Sequence, residues 1–247
     1  MKSIISLFFI GVAHLSIYAQ VEGVIHYQEM IKLDVDLEII PESLRGLIPK
    51  SQNFEKEMLF NSDESLYKSK ADGNPKDLAM ETEDGSISIK ISHDDVEDIY
   101  YISNKDNQVV HQQGIMGKSF IIESELEKYA WKITNEKIKY LDYECQKAII
   151  ESEDTFIVAW YTSQIPVQVG PRSYNGLPGA ILMLSEDDGA FEIKATKVNL
   201  SALEDNVIKT PTDGKKVTKE KFEKIREEKL KEMEQTFGGG NVKSIRR

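Results

Sequence analysis

The stretch that most constrains how this chain folds is Gly170-Pro171-Arg172-Ser173-Tyr174-Asn175-Gly176-Leu177-Pro178-Gly179, three glycines and two prolines in ten residues. Apolar, strand-like segments flank it, Phe156 to Ile165 before and Ala180 to Leu184 after. Pro166 has no N–H to give to a ladder, so the incoming strand is expected to stop near Ile165. Gly170-Pro171 is a second break. Asn175-Gly176 tolerates positive φ, and Leu177-Pro178-Gly179-Ala180 fits a type II turn with Pro at its second position and Gly at its third. Leu177 and Tyr174 are the side chains such a corner aims inward or outward.

The stretch has two readings. In one it is a sheet corner that sets register. In the other it is a binding lip, where glycine backbone allows close approach and Tyr174 or Leu177 touches a ligand. The candidate binding or corner residues are Trp160, Tyr161, Pro166, Gly170, Pro171, Tyr174, Gly176, Leu177, Pro178 and Gly179.

Gly176-Leu177-Pro178-Gly179-Ala180-Ile181 resembles the signature of the GLPGLI family of small exported proteins of Gram-negative bacteria. Supporting blocks are Ala159-Trp160-Tyr161-Thr162 with Ile165-Pro166, Tyr143-Glu144-Cys145-Gln146-Lys147-Ala148, and Lys216-Val217-Thr218-Lys219-Glu220. Ala180 departs from the Leu in the family's name and removes apolar volume at the turn exit. The resemblance implies export and a β-rich domain; it carries over no activity.

The N-terminus reads as a signal peptide: Lys2, an apolar run from Ile4 to Ala13, then small residues ending at Ala19. The expected organisation is a signal at 1–19, a β-rich domain over 20–210, and a C-terminal helix and tail over 211–247. No later segment has about 20 consecutive apolar residues, so no transmembrane span is expected in the mature chain. The location implied is the periplasm or the medium.

Cys145 is the single cysteine, so no internal disulfide forms; it reads as a small buried strand residue. The chain carries 31 basic and 42 acidic residues, a net charge of −11. That balance argues against a nucleic-acid partner. The end differs: from Thr212 onward 11 basic residues face 7 acidic ones.

Along the chain, Glu22 to Asp34 reads as a first strand with Ile25, Tyr27, Glu29, Ile31 and Leu33 on its core-facing side. Pro41 to Ile48 reads as a short helix stopped by Pro49. Phe54 to Asn61 and Ser65 to Ser69 form a hairpin, and Ala71 to Glu83 a loop. Ile87, Ile89 and Ile91 alternate as a short strand before the acidic cluster around His93. A meander follows over 99–123, then strands at 129–136 and 138–143, with Trp131 and Ile133 facing the core. The central hairpin pairs Glu144–Ile150 with Phe156–Ile165; its second strand, apolar on both faces, is expected to be the most buried. A last hairpin turns at Asp188-Gly189. Thr218 caps a helix to about Gln235 with Phe222, Ile225, Leu230, Met233 and Phe237 on one stripe.

The expected fold is mainly β: a curved antiparallel sheet, or a half-open barrel, with a short helix after the first strand and a C-terminal amphipathic helix. No nucleophile elbow, zinc-binding His or Cys pair or phosphate-binding loop is present, so no catalytic residue, metal ligand or cofactor is assigned. The function expected is an exported envelope binding or accessory protein holding an apolar or peptide-like ligand or a partner segment. Two alternatives stay open. One is a hydrolase or metal-dependent enzyme whose site assembles only in the fold, drawing on His26, His93 and His111. The other is an interaction module acting through the C-terminal helix.

Overall fold

The structure, a computed structural model, describes residues 21–33, 42–46, 48–70, 78–81, 88–91, 97–152, 155–186 and 189–236. The signal-like segment, the acidic cluster around His93 and the Gly238–Gly240 terminus lie outside these residues.

Among the described residues, fourteen strands and two helices follow in chain order. They are β1 (Gly23–Lys32), α1 (Glu42–Arg45), β2 (Ser51–Phe60), β3 (Glu64–Ser69), β4 (Leu78–Glu81), β5 (Ser88–Ile91), β6 (Ile99–Ser103), β7 (Gln108–Ile115) and β8 (Lys118–Glu125). Then come β9 (Lys132–Tyr140), β10 (Tyr143–Glu151), β11 (Phe156–Thr162), β12 (Ala180–Glu186), β13 (Phe191–Leu200), β14 (Lys215–Val217) and α2 (Lys219–Thr236). Twelve strands form one sheet in the order β14-β8-β7-β6-β3-β2-β1-β13-β12-β11-β10-β9; β4 and β5 form a separate hairpin. All pairings are antiparallel except β14 with β8.

The sheet is open, with β14 and β9 as its two edges, and no barrel closes. It is nonetheless curled at one end. The Tyr140 hydroxyl on β9 donates to the Ala195 carbonyl on β13 at 2.6 Å, although three strands lie between them. Four inter-strand steps in a flat sheet would span about 19 Å, well beyond a tyrosine's reach. The core sits in this hollow, where Ile25, Tyr27, Met58, Phe60, Ile157, Ile181 and Ile193 converge. Tyr27 is fully buried yet satisfied, its hydroxyl donating to the Ile181 carbonyl at 2.8 Å. Burial of an apolar-ringed residue is favourable only with such a partner for its polar tip.

Several local expectations are met. β1 buries Ile25, Tyr27, Glu29 and Ile31 along one side, and Leu33, just past its end, is buried as well. The β2–β3 turn closes on Asn61, whose side-chain oxygen accepts from the Asp63 and Glu64 amides at 2.8 Å each. Others are corrected. One strand, β9, stands where two were expected, because the tight turn at Leu141 (φ 50°) and Asp142 passes straight into β10. Ile133, expected in the core, is half exposed, since β9 is an edge strand with a register irregularity between Gln146 and Ala148 on its neighbour. β11 ends at Thr162; it buries its Ile157, Ala159 and Tyr161 side and, at its last residue, Thr162, while Phe156, Val158 and Trp160 are only half-buried. The most buried run is instead Ala180-Ile181-Leu182 at the start of β12. Three consecutive buried residues require cover on both faces, and the segment between β11 and β12 supplies the second cover.

At the C-terminus, β14 was not anticipated; three residues are too few to show a period. Thr218 does cap α2, its hydroxyl accepting from the Lys221 amide at 3.2 Å and its carbonyl from the Phe222 amide at 2.9 Å. Phe222 alone of the expected stripe is fully buried among the described side chains, against Phe120 and Ile122. Two ion pairs on α2 run i,i+3, between Glu223 and Arg226 and between Lys229 and Glu232.

Candidate binding cleft

The segment from Ser163 to Gly179 is laid over the start of β12. Ile165, Val167 and Val169 are buried, while Pro166 and Gln168 face out. Two tight turns hold this zigzag, Val167 N–H to the Ile165 carbonyl at 2.8 Å and Val169 N–H to the Val167 carbonyl at 2.9 Å. The segment also pairs with the emerging strand, the Ala180 amide donating to Ile165 O at 3.1 Å and the Ile181 amide to Val169 O at 2.9 Å. The expected type II turn is therefore absent. The Ala180 N–H that would have closed it points to Ile165, and the Gly179 amide makes a tighter turn onto Leu177 O at 2.8 Å.

The three glycines serve different ends. A Cβ on Gly179 would lie 2.0 Å from the Thr162 carbonyl oxygen, and one on Gly170 would lie 2.5 Å from the Tyr174 carbonyl oxygen. Gly176 has open space but a φ of +86°. Leu177 and Tyr161 are core residues; Tyr161 reaches Gln146 Oε1 at 3.3 Å. Pro171 is buried, Pro178 exposed, and Trp160 and Tyr174 half-buried. Tyr174 stacks on Tyr129 with ring centroids 5.0 Å apart, and Trp131 donates to the Asn175 carbonyl at 2.8 Å. The sequence-singled residues thus come together as one elbow, mostly as packing.

The chemistry lies beside them, on Arg172. It is a non-glycine residue at φ +56°, a conformation costing roughly 1–2 kcal/mol. This backbone turns its side chain toward β1, where it forms an ion pair with Glu29. Tyr67 donates to the other Glu29 oxygen at 2.9 Å, and the Arg172 guanidinium lies 4.9 Å from the centre of the Phe191 ring. Burial pushes the Glu29 carboxyl up, but the Arg172 guanidinium and the Lys56 ammonium outweigh it and hold the group below its ordinary value. Tyr67 is pushed well up, by burial first and then by the Glu29 charge.

Arg172 also borders a cleft of about 530 Å³ between β6–β8 and α2. One wall holds His111 and Asp98, with His111 Nε2 and Asp98 Oδ1 2.6 Å apart. Tyr100 stacks on the His111 ring at a centroid distance of 3.9 Å. The facing wall is α2, with Lys219, Phe222, Glu223 and Arg226. Glu125, Glu127 and Ser173 complete the rim. The cleft therefore offers both signs of charge, an aromatic surface, and a carboxylate-oriented imidazole.

Sequence reasoning gave no role to Arg172, Glu29 or Asp98, and offered His111 only together with His26 and His93 as histidines of a site assembled in the fold. One signal was available: Glu29 sits on the core-facing side of β1, and a buried carboxylate requires a cation or strong donors. His26, a second candidate, does not line this cleft, and its Nδ1 is buried without a hydrogen-bond partner among the described residues. Cys145 is buried, which pushes its thiol up to about 11 and makes it unreactive. Among the described residues no cluster of His, Cys, Asp and Glu is arranged to hold a metal ion. No described helix is long and apolar enough to cross a membrane.

Residues 150–183, which carry β11 and the elbow, match a family model described as a protein of unknown function (Porph_ging). No curated protein matches the chain. Among solved structures, the chain is similar to PNGF-II in two crystal forms. In space group C2 the TM-score is 0.54 at 18% identity, covering 85% of this chain and 33% of the other. In space group P21 the TM-score is 0.52 at 18% identity, covering 85% and 34%. The chain thus spans about a third of PNGF-II's length, and the likeness is one of fold.

Proposed function

We propose that the chain is an exported envelope protein of the GLPGLI type that binds a polar, peptide-like ligand in the cleft between β6–β8 and α2. The observation that carries this reading is the cleft itself, open and lined by both charge signs and by the rings of Tyr100 and Phe222. An apolar ligand inside the curl of the sheet is disfavoured, because Ile165, Val167, Val169 and Leu177 already fill that space. The match over residues 150–183 covers the elbow that places Arg172 at the cleft, and the N-terminal sequence supports export.

Native mass spectrometry of protein purified gently from envelope extracts tests the reading. Wild type should carry a small-molecule mass that disappears in Lys219→Glu/Arg226→Glu. A bare wild-type spectrum, with no thermal shift from a mixed peptide pool, would refute ligand binding here.

His111 and Asp98 favour a second reading, hydrolysis in the same cleft. A carboxylate-oriented imidazole is the arrangement of a general base. Turnover of chromogenic peptide substrates lost in His111→Ala would support it; equal background rates in both proteins would dismiss it.

A further inference from the structure

Resting on the binding reading above, the geometry points to Arg172 as the anchor for a free carboxylate on the peptide-like ligand, with the ligand's cationic end turned toward Glu125 and Glu127. The first support is the backbone. The φ of +56° at Arg172 is one that Gly or Asn adopts far more readily, so an arginine there is held for its side chain. The elbow spends that strain on aiming a guanidinium at the boundary between core and cleft.

The second support is how that guanidinium is fixed and how much of it is unused. Glu29 holds it from behind, with Tyr67 steadying the carboxylate, and Phe191 lies against it. A guanidinium carries five N–H donors. Among the described residues Arg172 makes one hydrogen bond, from Nη2 to Glu29. Its side chain keeps 17% of its surface exposed, and it borders the cleft. A rigid planar fork with donors left over matches a carboxylate's two oxygens. Ordering such an arginine in advance lowers what binding must spend on it.

The third support is the sign of the surroundings. Asp98, Glu125, Glu127 and Glu223 outnumber Arg172, Lys219 and Arg226 around the cleft. A multiply charged anion such as a phosphate ester would be repelled by that rim. A zwitterion is not: its single carboxylate meets Arg172 and its ammonium meets the acidic rim. A short peptide with both termini free has this chemistry.

The test is calorimetric titration of the full-length mature protein with one pool of tetrapeptides prepared as free acids and again as C-terminal amides. Free acids should bind at least tenfold more tightly than amides. Arg172→Lys preserves the charge facing Glu29 but not the fork, and should erase most of that preference. Should this variant fail to fold, the wild-type comparison of acid with amide stands by itself. Equal affinity for the two pools would overturn the carboxylate anchor and leave the cleft as a peptide site. Binding of neither pool would overturn both.

Discussion

At the scale of single residues, the most consequential is Glu29. A carboxylate on the buried side of a central strand costs several kcal/mol to desolvate, which only good partners repay. Arg172 and Tyr67 supply them, from a loop and a strand far apart in sequence. Glu29→Gln keeps the shape and deletes the charge, leaving Arg172 largely buried without its counter-ion. It should destabilise the protein by about 3 kcal/mol, read from the midpoint of urea unfolding at neutral pH. The same pair sets an acid limit. Glu29 titrates lower in the folded than in the unfolded chain. Its contribution is therefore complete above the ordinary carboxylate value and declines as pH falls through the lower folded-state value. Wild type should lose stability over that acid range, and Glu29→Gln should lose less. A parallel decline in both proteins would mean that Glu29 is not held by its ion pair.

At the scale of elements, the elbow between β11 and β12 is defined by contacts that a motif can only partly announce. Gly176 and Gly179 look equivalent in sequence, yet one turns in open space and the other passes against the Thr162 carbonyl. Gly176→Ala should cost about 1 kcal/mol, the ordinary penalty of a Cβ at positive φ. Gly179→Ala should cost about 3 kcal/mol or more, because backbone must move to admit the methyl group. Thermal unfolding of the two variants decides it; equal shifts would show that the elbow yields easily. The strands themselves were readable, since β1, β2, β3 and the β6–β7–β8 meander alternate and are bounded by turn residues. What alternation does not convey is neighbourhood. Ile133 alternates like a core residue and lies half exposed, because its strand is at the sheet edge, and edge position depends on the strand order of the whole sheet. The cleft was illegible for the same reason. Asp98, just before β6, meets His111 on β7 through their side chains, Glu29 and Arg172 are 143 residues apart, and no local spacing encodes either meeting.

At the scale of the whole molecule, the sheet is unevenly secured. The β1–β13–β12 region is locked by the elbow and by tyrosines whose hydroxyls reach across strands. The far end is closed by a three-residue strand, β14, and by α2, whose fully buried contact is Phe222 against Phe120 and Ile122. Because α2 is also one wall of the cleft, its docking controls whether the cleft exists. Phe222→Ala removes a ring buried to 1% exposure, a change worth about 3 kcal/mol at such a site. Little of that cost should spread to the β1–β13–β12 region, since few contacts tie α2 to it; the penalty should appear as local opening. Hydrogen exchange would show this directly. Amides of α2 and β14 should lose protection by roughly a hundredfold, as 3 kcal/mol implies, while amides of β1 and β12 keep theirs. Loss of protection throughout the sheet would instead make the helix part of one cooperative unit, and the cleft as permanent as the core behind it.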